Sequence, residues 1–253
     1  MRSLWSKWKR LSVVLITSLT VLALAGCQST QNILNPSSPA AESTAWMFYF
    51  VFWIAVIIFI LVEALLVFFV LRYQRRAENE HPEQYHGNTK LEVTWTVIPA
   101  LILVVVFVFT IRTMGEVGPS NPPAKGMPIR VIGHQWWWEV QYNDGKVKYA
   151  TDVHIPAGQV VNVELTSQNV IHSFWVPSLM GKTDVVPGHT NTTWLLTDQL
   201  GKYDGQCAEF CGAQHANMLF NVIVQSPSDF EAWLKAVEAP AAEPAPGSLA
   251  GST

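Results

Sequence analysis

Two long apolar runs dominate the hydrophobic pattern of the chain. Residues 45–71 are apolar apart from Glu63, and residues 93–111 are interrupted only by Thr94, Thr96, Pro99 and Thr110. Each is long enough to cross a hydrocarbon core of about 30 Å as a helix. The stretch between them is polar and opens on Arg72-Tyr73-Gln74-Arg75-Arg76. A shorter apolar run, residues 11–24, follows Arg2, Lys7, Lys9 and Arg10 and ends in small residues, which is the layout of an export signal. Beyond Arg112 the pattern changes to short segments broken by Pro and Gly. Residues 129–132, 136–142, 160–165, 171–176, 192–197 and 218–224 predict strands, with a turn at Asn143-Asp144-Gly145. Such a succession predicts an all-β sandwich. Ser226-Pro227-Ser228-Asp229 predicts a closing helix to about Val237, with serine as N-cap and proline in the first position.

The chain divides accordingly. Residues 1–26 are a lipoprotein-type signal peptide, 27–44 an exposed linker, and 45–111 a transmembrane hairpin with spans at 45–71 and 93–111. Residues 112–127 are a second linker, 128–237 the sandwich, and 238–253 an Ala/Pro/Gly tail expected to be disordered. Three arginines directly after the first span mark the intervening loop as cytoplasmic, because Lys/Arg bias sets orientation. Everything after Arg112 then lies on the outer face. Leu24-Ala25-Gly26-Cys27 resembles the lipobox of bacterial lipoproteins, in which the signal is cut before the cysteine and its thiol is lipidated. Cys27 is then a lipid anchor; a plain signal or uncleaved anchor with an incidental cysteine is the competing reading. Glu63 lies inside the first span, where a carboxyl is costly and usually faces protein or water. Glu92 stands at the cytoplasmic mouth of the second span. The plain reading of both is a helix-end or partner-facing carboxylate.

Charged residues are 14% of the chain, against about 25% in ordinary soluble proteins, and hydrophobic residues are 49%. That balance argues against a purely cytosolic enzyme and against a disordered chain. A net charge of −3 gives no sign of a nucleic-acid binder. Three cysteines are too few for a disulfide scaffold. With Cys27 set aside, Cys207 and Cys211 form a pair inside Cys-x₃-Cys-x₃-His-x₂-Met, which ends at His215 and Met218. Soft sulfur with imidazole suits copper and, to a lesser degree, zinc. His172 lies on a predicted strand that can run beside this loop. A disulfide is open to an exported pair of cysteines, but leaves His215 and Met218 idle. A zinc site of two Cys and two His leaves Met218 unexplained. In the copper reading, two thiolates suit a pair of ions bridged by both, each capped by one histidine.

Over about residues 45–235 the chain resembles subunit II of bacterial cytochrome c oxidases, in the haem–copper oxidase superfamily. The resemblance rests on Trp95-Thr96-Val97-Ile98-Pro99-Ala100, Gly133-His134-Gln135-Trp136-Trp137-Trp138, His172-Ser173-Phe174-Trp175-Val176-Pro177, Gly181-Lys182-Thr183-Asp184 and the cysteine loop. It implies a cupredoxin-like fold with a binuclear copper centre, CuA. Cys207 and Cys211 would bridge two coppers, His172 and His215 would be terminal ligands, and Met218 a weak axial one. Glu209 would bind through its backbone carbonyl, and its side chain would help hold magnesium at the boundary with subunit I. The implied role is to take electrons from cytochrome c and pass them to haem in subunit I, where O2 is reduced to water, coupled to proton translocation. Subunit III is a further implied partner. The implied location is the bacterial plasma membrane, with the C-terminal domain on the periplasmic face.

Trp136 matches the tryptophan of electron intake, and its alternative is sandwich packing beside Trp138. Glu92 matches the carboxylate at the entrance of a proton channel into subunit I. Trp137 stands where relatives often have tyrosine, and Gln168 and Asn169 stand where many have acids that dock a basic donor. Steering by a negative patch is therefore expected to be weaker. No Cys-x-x-Cys-His occurs, so no covalent haem is expected. Remaining alternatives are a quinol oxidase subunit II, which keeps the fold without copper, a CuA subunit of a nitric oxide reductase, and a membrane-anchored copper- or zinc-binding module without electron transfer.

Overall fold

The computed structural model describes residues 12–20, 31–74, 86–118 and 121–238. Cys27, Arg75, Arg76 and the tail from 239 lie outside them. Residues 12–20 are helical, α1, and belong to a separate unit, residues 1–30. All further elements belong to the second unit, residues 31–253.

Helix α2, Pro39–Arg72, begins six residues before the apolar run that predicted it. The hydroxyl of Ser38 accepts the Ala41 N–H, Pro39 occupies the first turn, and Glu42 sits where the positive end of the helix dipole favours a carboxylate. Residues 39–44 are therefore helix rather than exposed linker, and Ser37, Ser38, Ala40 and Ala41 are buried. The 34 residues extend about 50 Å, more than the roughly 30 Å of a hydrocarbon core. Helix α3, Thr89–Val117, is capped by the Asn88 side chain, which accepts from Lys90 and Leu91 N–H groups. It too outruns its apolar stretch, and Arg112 and Glu116 pair one turn apart at 3.3 Å within what the sequence suggested as linker. It stops at Gly118, the residue before Pro119, where helical backbone is disfavoured. Near the outer ends of the hairpin, Phe109 of α3 packs on Phe50 and Trp46 of α2, with ring centroids 5.0 and 5.6 Å apart. Below that, both helices expose apolar side chains such as Phe59, Val70 and Leu103.

Among the described residues, ten strands form two five-stranded sheets. The first holds β1 (Met127–His134), β2 (Trp137–Tyr142), β3 (Val147–Ala150), β5 (Val161–Ser167) and β8 (Asn191–Leu195), in the order β3-β2-β1-β5-β8. The second holds β4 (Val153–Pro156), β6 (His172–Trp175), β7 (Thr183–Val185), β9 (Gly201–Cys207) and β10 (Leu219–Gln225), in the order β4-β10-β9-β6-β7. Alternation along β5 sends Val161, Val163 and Leu165 inward, and β10 sends in Phe220, Val222 and Val224. With Trp138, Tyr142 and Phe174 they fill one core. Helix α4, Pro227–Glu238, opens on Ser226, whose hydroxyl accepts the Asp229 N–H at 3.2 Å. It lays Phe230 and Trp233 against the core at Tyr142.

The architecture is thus the expected one: an apolar helical hairpin, a cupredoxin-like β-sandwich and a short closing helix. Four strands carry no sequence signal of their own, namely β3, β4, β7 and β9. In β9, Gly205 is required because the Phe220 ring lies on it, and an added Cβ would come within 2.4 Å of the ring.

Candidate metal centre

The second sheet brings the separated donors together. β6 pairs with β9 in the register Phe174↔Cys207 and Trp175↔Gln206, so His172 at the start of β6 lies beside Cys207 at the end of β9. The chain from β9 to β10 is closed by Cys207 N–H donating to Met218 O at 3.0 Å and anchored to β6 by Ala208 N–H donating to Ser173 O at 3.0 Å. Folded this way, a short loop returns Cys211, His215 and Met218 over Cys207.

The donor atoms form a continuous run. His172 Nδ1 lies 3.8 Å from Cys207 Sγ, Cys207 Sγ lies 3.8 Å from Cys211 Sγ, and Cys211 Sγ lies 3.7 Å from His215 Nδ1. Met218 Sδ is 3.7 Å from Cys211 Sγ, and the Glu209 carbonyl oxygen is 3.2 Å from Cys207 Sγ. His172, Cys207 and Cys211 form a group whose ligand atoms all lie within 4.8 Å of one another. A metal bonded to thiolate at about 2.3 Å and to imidazole at about 2.0 Å spaces its donors roughly 3.5–3.8 Å apart. The observed separations fit metal-sharing donors. The two cysteines are free, their sulfurs well beyond the roughly 2.05 Å of a disulfide. A single tetrahedral ion uses four donors, whereas this run offers four strong ones plus a thioether and a carbonyl. Two ions would be needed to use the whole set.

Electrostatics favour the uncharged forms of His172 and Cys211 before metal arrives. Burial, then His134 and His215, lowers the His172 imidazole to about 4, so it is neutral and ready to coordinate. Burial, then the neighbouring Cys207, raises the Cys211 thiol to about 11. A metal cation must therefore displace a proton there on binding. The second imidazole nitrogen of His172 faces Asn169 Oδ1 at 3.3 Å. That contact directs Nδ1 at the sulfur, an outer-shell role that the sequence did not reveal. Gln135 was missed as well; its amide donates to Cys211 O at 2.8 Å.

Trp136 stands outside the sandwich core, in the turn between β1 and β2, and is 38% exposed, whereas Trp138 is fully buried. Its indole N–H donates to Cys211 O at 3.3 Å, and its ring lies against Gly212, where an added Cβ would come within 3.3 Å. Gly212 also has φ +118, a conformation that favours glycine. The Glu209 carboxylate is exposed. Glu92 is far from this cluster in sequence and sits exposed in the first turn of α3. Glu63 is exposed on α2.

A two-helix apolar hairpin that carries a β-sandwich with sulfur and imidazole donors at one end defines a class: membrane-anchored, cupredoxin-like metal domains. Residues 26–113 match the cytochrome c oxidase subunit II transmembrane domain, and residues 145–226 match the periplasmic domain of the same subunit. The chain is 39% identical over 247 residues to cytochrome c oxidase subunit 2 of Alkalihalophilus pseudofirmus, covering 94% of this chain and 71% of that one. It is 32% identical over 241 residues to quinol oxidase subunit 2 of Bacillus cereus, covering 91% of this chain and 80% of that one. The periplasmic domain of cytochrome oxidase subunit II of Bradyrhizobium japonicum is similar to 47% of this chain over 97% of its own length, at 29% identity and a TM-score of 0.45. The chain belongs to the cytochrome c oxidase subunit II family and is a membrane-anchored protein with an outer domain.

Proposed function

We propose that this chain is the electron-intake subunit of a terminal cytochrome c oxidase. It takes electrons from a cytochrome c and passes them to haem in subunit I, where O2 is reduced to water with proton translocation. One observation carries the reading: the unbroken run His172–Cys207–Cys211–His215, with successive donors 3.7–3.8 Å apart and Met218 beside it. Two copper ions bound there as CuA would supply a one-electron carrier whose charge is shared between both metals. The chain's own part is to hold the donors on paired strands, keep His172 neutral through burial, and fix its ring through Asn169.

Trp136 supports intake of the electron. Its exposed indole meets the donor, and its N–H bond to Cys211 O gives a short through-bond route inward. Glu209 would serve through its carbonyl at Cys207 and through its exposed carboxylate at a magnesium ion shared with subunit I. Glu92, at the head of α3, is suited to admit protons towards subunit I. Subunit III is a further partner, and Cys27 a lipid anchor, on the outer face of the bacterial plasma membrane.

The quinol oxidase relative supports a second reading, a copper-free subunit. The complete donor set favours the first. Turnover of the assembled complex with reduced cytochrome c and with a reduced quinol, in parallel, separates them. Cytochrome c oxidation that collapses in Cys207→Ser is expected; quinol oxidation that survives this substitution would reverse the choice.

A further inference from the structure

The head of α2 is buried although the helix below it is not. The Ser37 N–H donates to Ser178 O at 2.8 Å, and Thr197 Oγ1 donates to Ser37 O at 2.5 Å. Ser38 Oγ donates to Leu179 O while accepting the Ala41 N–H at 3.0 Å. A hydroxyl offers one donor and two acceptor sites, so this one side chain both caps the helix and ties it to the sandwich. The end of α3 is tied as well. Trp194 Nε1 donates to Gly118 O at 3.1 Å, and its indole packs with Ala40 and Val160 beside Val117.

The receiving end of these contacts is specific. Ser178 and Leu179 lie in the turn directly after β6, the strand that starts at His172. Both Leu179 and Met180 N–H groups donate to Val176 O at 2.9 Å, which makes that turn compact. Val176, Leu179 and Met180 are buried in the same core as Cys207, Cys211 and Met218. Without such ties, a domain joined to a hairpin by a Pro- and Gly-rich segment is expected to rock.

We propose that Ser38, with Thr197 and Trp194, forms a positioning latch. It locks the turn behind His172 to the head of the first span and so fixes the depth and orientation of the metal centre over the membrane. The consequence for function rests on the electron-relay reading. Electron transfer falls steeply with distance, so a rocking domain hands electrons to a membrane-embedded acceptor more slowly even when its own centre is intact.

The test uses the assembled oxidase with Thr197→Val, Ser38→Gly and Ser38→Thr. Thr197→Val removes the donor to Ser37 O without touching the helix cap, Ser38→Gly removes both roles of the hydroxyl, and Ser38→Thr keeps them. After rapid reduction of the centre, onward transfer to haem is expected to slow severalfold in the first two variants and to recover in the third. The optical and paramagnetic spectra of the centre, and its reduction by the donor, stay unchanged. Unaltered onward transfer in both variants overturns the latch, as does a loss accompanied by a changed spectrum, which locates the defect in the centre. Hydrogen exchange of the Ser37 and Leu179 amides, read on the full chain, is expected to quicken in Thr197→Val; unchanged exchange also overturns it. A native chain without a two-copper spectrum would instead remove the electron-relay reading and leave the exchange result standing.

Discussion

At the scale of single residues, the candidate donors Cys207, Cys211, His215 and Met218 stand out because soft ligands are rare and here fall within twelve positions, while His172 is added only through a predicted strand. Asn169 and Gln135 do not stand out, because an amide has no pattern along a chain and acquires its role only when strands bring it to the site. Asn169→Ala is expected to keep the fold and weaken metal binding by about 10–100-fold, as loss of an outer-shell partner does; titration with copper against a competing chelator measures it. The buried pair His172 and Cys211 also sets a pH window for the metal-free chain. Folding lowers His172 from 6.5 to about 4, so the unfolded state takes up that proton first as pH falls. Its contribution to stability is complete above pH 6.5 and is lost as pH drops towards 4. Cys211 acts at the other end: its folded value rises from 9.0 to about 11, so stability falls as pH climbs from 9 to 11. The melting temperature of the metal-free chain should therefore be highest between pH 6.5 and 9. Melting temperatures that rose below pH 6.5 would contradict this, and His172→Gln should flatten the acid limb.

At the scale of elements, strands that alternate or carry β-branched residues were readable, as in β5 and β10. β9 was not. Its sequence Gly-Lys-Tyr-Asp-Gly-Gln-Cys lacks alternation, and it is a strand because β10 on one side and β6 on the other complete its ladder. Gly205→Ala should destabilise the sandwich by about 1–3 kcal/mol through overpacking on the Phe220 ring. Phe230→Ala should cost about 3–5 kcal/mol by emptying the socket beneath α4. Thermal melts of the two variants followed by strand circular dichroism check both. The helix limits depart from the apolar runs for a different reason. Hydropathy marks only the part of a helix that meets lipid, whereas Ser38 and Asn88 caps set where helix begins. The excess at the head of α2 lies under the sandwich, so a boundary drawn at residue 45 cuts through an element that contacts both parts of the molecule.

At the scale of the whole molecule, the order of hairpin, sandwich and closing helix followed from the change of hydrophobic period along the chain, from continuous runs to short alternating segments. The tie between hairpin and sandwich did not follow, since Ser37 and Thr197 are 160 positions apart and small polar residues give no sign of such partners. Arginine bias after α2 predicts a cytoplasmic inter-helix loop. Cells carrying Asn88→Cys or Lys125→Cys should accordingly react with a membrane-impermeant maleimide only at position 125; labelling at 88 in intact cells would invert the topology. The central claim concerns the metal. The most direct measurement is the paramagnetic resonance and optical spectrum of the full chain in detergent after copper loading, with copper counted per chain. Two coppers and a seven-line mixed-valence hyperfine pattern are predicted, from an electron shared equally across the Cys207–Cys211 pair. A colourless zinc protein, or one copper with a four-line pattern, would contradict the account.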